Sequence, residues 1–270
     1  MSLAPRACLV LSSLATHSLL AQAAPASQCL IEPLQKLEMR SPVSAPISAV
    51  LVERGSRVTK GQLLVRLDAA VEQAALEVSR YRSVMEGAIR ASQSRLQSAT
   101  EKLKRFDELL QQSFVSAQAR DDAAAEMRAA EADLVQARDS REVARLEALQ
   151  LAASVARYSI YSPIDGVVVE RLQNPGELTQ IGDAASAVLK LAQTDPLRVE
   201  VVLSVAEYGK IRVGQVVEVR PEAPFTGVYK ATVRIVDKVI DSASGTFRVR
   251  MDLPNPRGEV PAGVKCTATL

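Results

Sequence analysis

The sequence predicts an elongated α+β protein: a small β unit split in two by a long antiparallel α-helical hairpin, then a small antiparallel β-barrel. Three observations carry this reading. A nine-residue phrase occurs twice, as Pro46-Ile47-Ser48-Ala49-Val50-Leu51-Val52-Glu53-Arg54 and as Pro163-Ile164-Asp165-Gly166-Val167-Val168-Val169-Glu170-Arg171, with six of the nine positions identical. Between the copies runs a stretch with almost no Gly, no Pro, and much Ala, Glu, Arg and Gln in a coiled-coil rhythm. After the second copy, short alternating apolar runs separated by Gly and Pro resume. Two related β units that each leave a face uncovered bury it most simply against one another, so the insert between them projects as a rod.

Residues 1–26 carry Arg6, an apolar run from Cys8 to Leu20, and Ala-x-Ala cleavage sites at Ala21-Gln22-Ala23 and Ala24-Pro25-Ala26. They read as a secretory signal peptide. Ser12, Ser13, Thr16 and His17 interrupt the run, which is too short to span a bilayer as a retained anchor. Lipid attachment at Cys29 is disfavoured, because Gln28 stands where a lipoprotein signal needs a small residue. Export leaves Cys29 and Cys266 in an oxidising compartment, where a disulfide between them and two unpaired buried thiols are both compatible with the sequence.

Loss of the leader also removes His17, the only histidine. Without imidazole the mature chain has no Ser-His-Asp triad or Cys-His pair and lacks the commonest transition-metal ligand. No Gly-rich phosphate loop of either usual spacing occurs, and nearly all Asp and Glu fall on solvent-facing helical positions. No catalytic, cofactor-binding or metal residue is assigned, and an enzyme is not expected. The net charge is +2 with mixed signs along the chain, which argues against a nucleic-acid partner. Aromatic residues make up 3% of the chain, with no Trp, thin material for one large globular core.

Residues 27–40 form an N-terminal segment that can pair with the barrel. Segments 41–68 and 158–192 are the two β halves, each with strand-like alternation and a pair of glycines at the same separation, Gly55 and Gly61, then Gly176 and Gly182. Segment 69–157 is the hairpin. Its first arm places apolar or small residues at 71, 74, 78, 81 and 85, then 89, 92, 96, 99, 103, 106 and 110; the second places them at 123, 127, 130, 134, 137, 144, 148, 151 and 155. Two consecutive steps of four around Met85 and Ile89 predict a slight local unwinding. These are two helices of about forty residues, about 60 Å long each, joined at a tip about residues 111–116, with Ser116 placed to cap the second. Segment 193–270 holds some six short strands, the spacing of a small β-barrel, with a brief helix over 205–211.

The split repeat, Pro-Ile-x-Ala/Gly-Val with its downstream glycines, resembles the two halves of a biotinyl/lipoyl domain. In carrier versions of that fold a lysine on the joining hairpin receives the cofactor; here the coiled coil replaces that hairpin, so no cofactor is implied. A lipoyl-like β-sandwich interrupted by a helical hairpin and followed by a barrel with Gly245-Thr246-Phe247-Arg248-Val249-Arg250, Asn255-Pro256 and Val260-Pro261-Ala262-Gly263-Val264 resembles the periplasmic adaptors, or membrane fusion proteins of the HlyD-like family, of tripartite efflux and secretion systems. The resemblance covers about 41–270. Adaptors that dock on TolC-type ducts carry Arg, then Leu four residues on, then Ser seven beyond, matched here by Arg105, Leu109 and Ser116. It implies that Leu109 fills an apolar notch in the duct, that Arg105 donates hydrogen bonds and that Ser116 adds a polar contact. Read without it, the three are a core leucine, a solvated arginine and a helix cap. Thr179 and Gln180, in a loop of the second half, read as a plain surface loop or as lumen-lining residues.

The implied protein is a periplasmic homo-oligomeric ring, trimer or hexamer, peripheral to the membrane. It would link an inner-membrane transporter, favoured as the resistance-nodulation-division (RND) type because no N-terminal transmembrane helix precedes the first half, to an outer-membrane channel. An adaptor of an ABC-type or type I secretion system and a non-transport coiled-coil scaffold are the alternatives. Many such adaptors carry a further membrane-proximal domain, whereas this sequence stops at Leu270; transporter contacts are then expected from the barrel and the N-terminal segment.

Overall fold

The computed structural model describes residues 26–182 and 186–270; the signal peptide read at 1–26 falls, up to residue 25, outside them. In chain order the elements are β1 (Ala26–Met39), β2 (Ile47–Val50), β3 (Arg57–Val58), β4 (Leu63–Leu67), α1 (Ala70–Val84), α2 (Gly87–Gln111), α3 (Ala117–Ala156), β5 (Ser159–Tyr161), β6 (Gly166–Arg171), β7 (Leu189–Ser204), β8 (Val216–Pro221), β9 (Tyr229–Val236), β10 (Thr246–Leu253) and β11 (Val264–Thr269). The described residues divide into two compact units, Pro33–Asp195 and residues 26–32 with Pro196–Leu270.

In the first unit the two copies of the repeat fold together. One sheet runs β2–β4–β5, and a second ladder pairs β3 with β6 and β6 with the start of β7. The halves are stitched by direct backbone bonds. The amides of Gly55 and Gly61 donate to the carbonyls of Val168 (2.8 Å) and Ser162 (2.7 Å), and that of Gly176 donates to Ile47 (2.8 Å). All four repeat glycines take positive φ, 88° and 83° in the first half, 89° and 84° in the second, which L side chains rarely adopt. One core results: Ile47, Val52, Leu64, Val65 and Leu67 from the first half pack with Ile160, Val168, Val188, Leu189 and Leu191 from the second.

Where the first copy has Ala49 the second has Gly166, and a Cβ built there would overlap the carbonyl oxygen of Ala192 and come within 3.0 Å of its carbon. β7 crosses that strand too closely for a methyl group.

The hairpin departs from the sequence reading in its first arm. Instead of one long helix there are two, α1 and α2, separated at Met85, whose ψ of 126° is extended. The interruption falls where the seam takes its irregular step, a stronger break than the slight unwinding expected. α1 also turns a different face inward. Leu76 and Ser79 are buried, continuing from buried Ala69, whereas Val71, Val78, Tyr81 and Met85 are exposed. The reason is tertiary: Leu67 and Ala69 enter the helix already buried in the sandwich, and Tyr158 donates from its hydroxyl to Glu72 at 2.8 Å, so the rotation of α1 is set at its base. In α2 and α3 the expected seam holds, with Ile89, Ser92, Ala99, Ala123, Ala130, Leu134 and Ala148 buried.

The second unit is a closed six-stranded barrel, ordered β1–β11–β8–β9–β10–β7 with β7 pairing back on β1. Its inward residues sit opposite one another: Phe247 faces Leu203, Val249 faces Val201, Met251 faces Val199 and Leu253 faces Leu197, all buried. Each such side chain contributes about 1.5–3 kcal/mol by leaving water. Cys29 and Cys266 face each other across β1 and β11 and are joined by a disulfide. The helix expected over 205–211 is a single 3-10 turn, Val205–Glu207, capped by the Ser204 hydroxyl.

Gly166→Ala should lower stability by about 1–3 kcal/mol through overpacking, seen as a lower denaturant midpoint. Ala49→Gly, at the equivalent position of the other copy, should cost no more than about 1 kcal/mol.

Candidate docking tip of the helical hairpin

The hairpin reverses over five residues, 112–116, between α2 and α3. α2 ends with the amides of Ser113 and Phe114 donating to the carbonyls of Leu110 and Leu109, both at 2.9 Å. Together with a positive φ of 62° at Ser113, this is a Schellman ending, built here without the glycine that usually marks it. α3 then starts at Ser116, in extended conformation, whose hydroxyl accepts from the Ala119 amide at 3.2 Å.

Charged pairs brace the last turns. Arg120 on α3 donates to Asp107 on α2 at 2.7 Å, and Lys102 to Glu126 at 2.6 Å. The Asp107 carboxylate beside it raises the Arg120 guanidinium above its ordinary range. Such exposed pairs add little stability but fix the register in which the arms meet. Below them, small side chains at Ser98, Ala99, Ala129 and Ala130 leave an open groove of about 630 Å³ rimmed by Arg95, Lys102, Arg105, Glu126 and Asp133.

Arg105 and Leu109 lie one helical turn apart on α2, both exposed, and Ser116 is exposed across the reversal. Leu109 is 37% exposed. Phe114, 74% exposed at the apex, was missed by spacing arguments. Its signal was compositional, one of four Phe in the chain standing in a polar turn. The structure thus gathers three outward-facing predicted residues and one additional aromatic at the end of the rod. The fourth and fifth predicted positions separate. Thr179 is 1% exposed; its hydroxyl accepts from the Ala45 amide (3.1 Å) and lies 2.9 Å from the Val43 carbonyl. The lumen-lining expectation for Thr179 is therefore corrected, because the hydroxyl is used in tying the two halves. Gln180 is exposed. Among the described residues, no group of three His, Cys, Asp or Glu is arranged to hold a metal ion.

Residues 35–191 match the family model for the RND MFP (membrane fusion protein) barrel-sandwich hybrid domain, and residues 197–270 match that for the CusB-like β-barrel domain. The chain belongs to the RND membrane fusion proteins. Among its relatives in this family, the multidrug resistance protein MdtE of Escherichia coli K12 is 27% identical over 88% of this chain and 61% of its own length. The multidrug efflux pump subunit AcrA of the same organism is 25% identical over 86% of this chain and 58% of its own. The chain thus spans about three-fifths of these two relatives, and half of a further, uncharacterized relative from Haemophilus influenzae. MacA from Actinobacillus actinomycetemcomitans shares the fold, with a TM-score of 0.77 at 21% identity over 91% of this chain and 77% of MacA. A membrane fusion protein from Streptococcus pneumoniae R6 does so with a TM-score of 0.63 at 17% identity, over 90% of this chain and 98% of that one.

The cap at the tip of this membrane fusion protein can be separated from any contact it makes. Ser116→Ala should destabilise the start of α3 by about 1 kcal/mol, and Ser116→Asp should restore it, as read by hydrogen exchange of the Ala119 amide.

Proposed function

We propose that this membrane fusion protein is a periplasmic adaptor that joins an RND-type inner-membrane transporter to a TolC-type outer-membrane duct for export of small molecules. The observation that carries the reading is the tip: Phe114, largely exposed, and Leu109, partly exposed, stand near Arg105 at the end of a polar rod. Leu109 and Phe114 enter an apolar notch on the duct, Arg105 donates to its carbonyls or carboxylates, and Ser116, its acceptor capacity partly spent on the cap, adds a polar contact. The relatives named for multidrug resistance and multidrug efflux support the class of cargo. Work is mechanical: the sandwich anchors the rod, the rod reaches the duct, and no bond in the cargo changes.

Ring formation accounts for a second surface. Val71, Val78 and Tyr81 on α1, and Met85 at the break that follows it, keep coiled-coil spacing but are exposed, and Val143, Leu146 and Leu149 are exposed on α3. With Tyr81 68% exposed, this stripe is best covered by the hairpin of a neighbouring copy.

In cells that depend on this adaptor, Leu109→Asp should abolish export-dependent resistance while leaving the circular dichroism spectrum and unfolding midpoint unchanged. Retained resistance would favour a scaffold without duct docking. Val78→Glu combined with Tyr81→Glu should shift sedimentation toward the monomer at equal helix content.

A further inference from the structure

The strand that completes the barrel is the one with the least packing to hold it. Five of the six barrel strands come from one continuous stretch, Pro196–Leu270, with β7 counted from Pro196 onward. The sixth, the first part of β1, comes from the other end of the chain, and the whole of the other unit, Pro33–Asp195, lies between them in sequence. Seating β1 therefore carries a chain-closure cost that strands joined by short loops do not meet. Among residues 27–32 only Cys29 and Ile31 are buried. β7 sends Leu197, Val199, Val201 and Leu203 into the same core, and β8 and β9 each send two aliphatic side chains, whereas Ile31 is the one large aliphatic group that β1 supplies.

β1 nonetheless occupies the position that makes the barrel a closed one, between β11 and β7. Its ladder with β11 is six residue pairs long, Ala26 opposite Thr269 through to Ile31 opposite Val264, and the Gly263 amide donates to the Ile31 carbonyl at 2.7 Å. Within that ladder Cys29 stands directly opposite Cys266, and their disulfide joins positions 237 residues apart. A covalent link across so long a separation removes most of the freedom that an unseated β1 would regain. Both cysteines are buried, so the bond is shielded from reductant while the strand is in place.

We propose that the Cys29–Cys266 disulfide is a redox latch on β1. Oxidised, it holds the strand in the barrel; as two thiols it lets residues 26–32 leave, opening the barrel between β11 and β7 while the other five strands stay folded. Closing the latch is thiol–disulfide exchange with a protein or small-molecule disulfide. One cysteine thiolate attacks the oxidant and forms a mixed disulfide, the second displaces it, and the oxidant departs as two thiols carrying both electrons and both protons. Thiols are kept reduced in the cytosol and are oxidised in the periplasm, so the barrel closes only after export. That choice of compartment rests on the periplasmic adaptor reading; the latch itself does not, and it is tested on the purified chain.

Hydrogen exchange of the full chain, followed by mass spectrometry over residues 27–31 of β1 and 247–253 of β10, separates release of one strand from loss of the barrel. Three preparations are compared: the oxidised chain, the chain refolded and kept in a phosphine reductant, and Cys29→Ala/Cys266→Ala without reductant. In the second and third, β1 should exchange roughly a hundredfold faster than in the oxidised chain, while β10 keeps its oxidised rate. Adding oxidised glutathione in place of the reductant should restore β1 protection in the native sequence and leave the doubly substituted chain unchanged. Protection of β1 that survives reduction overturns the proposal, because the ladder and Ile31 then hold the strand unaided. Equal loss of protection in β10 also overturns it, because the disulfide would then support the barrel as a whole.

Discussion

The structure depends on one closure: two β halves separated by the entire hairpin must meet and share a core. Joining chain segments across a long insert carries a loop-closure cost that grows with its length, and a flexible insert would leave the halves to find each other by diffusion. The antiparallel hairpin removes that problem by returning the chain to its point of departure. At the base the Leu67 amide donates to the Tyr158 carbonyl at 2.8 Å, and Arg157 donates to the Pro42 carbonyl at 2.7 Å. The rod and the sandwich are thus mutually dependent. The hairpin brings the halves together, and the sandwich fixes the angle and rotation with which α1 starts.

That dependence orders the energetics. Alanine and serine at so many seam positions let the helices approach closely but bury little apolar area per layer, and the ion pairs along the rod are exposed. The hairpin draws its firmness from its base and from whatever lies alongside it. The sandwich and the barrel, in contrast, each hold a dense aliphatic core. A stiff mount carrying a rod with apolar groups at its end and along one side suits a part that is assembled into something larger.

Much of this was legible because repetition and period survive in sequence. The doubled Pro-Ile phrase and its glycines announced a split unit, and the α3 seam could be read position by position because a single unbroken helix keeps its phase over all its turns. The α1 phase was not legible. Val71, Val78 and Tyr81 are more apolar than Glu72, Ser79 and Ser83, so hydrophobicity selects the outer face, and only the buried entry at Leu67 and Ala69 reverses the choice. The break at Met85 showed as an irregular step, but sequence alone does not distinguish unwinding from rupture. At the tip, Arg105, Leu109 and Ser116 stood out by spacing, whereas the apex was hidden because Ser113 adopts the left-handed turn that glycine would have advertised. Thr179 looked like a loop residue because the backbone groups it satisfies, at Val43 and Ala45, lie far away in sequence.

Native-state hydrogen exchange tests the closure most directly. The Gly61 amide donates to the Ser162 carbonyl and the Ser162 amide to the Gln62 carbonyl, while Gly55 and Val168 are tied in the same manner, the latter through the carbonyl of Ser56. If the halves form one cooperative sandwich, these four amides exchange with a common opening free energy across a denaturant series. Protection of one half's amides persisting after the other half's is lost would contradict a single shared core.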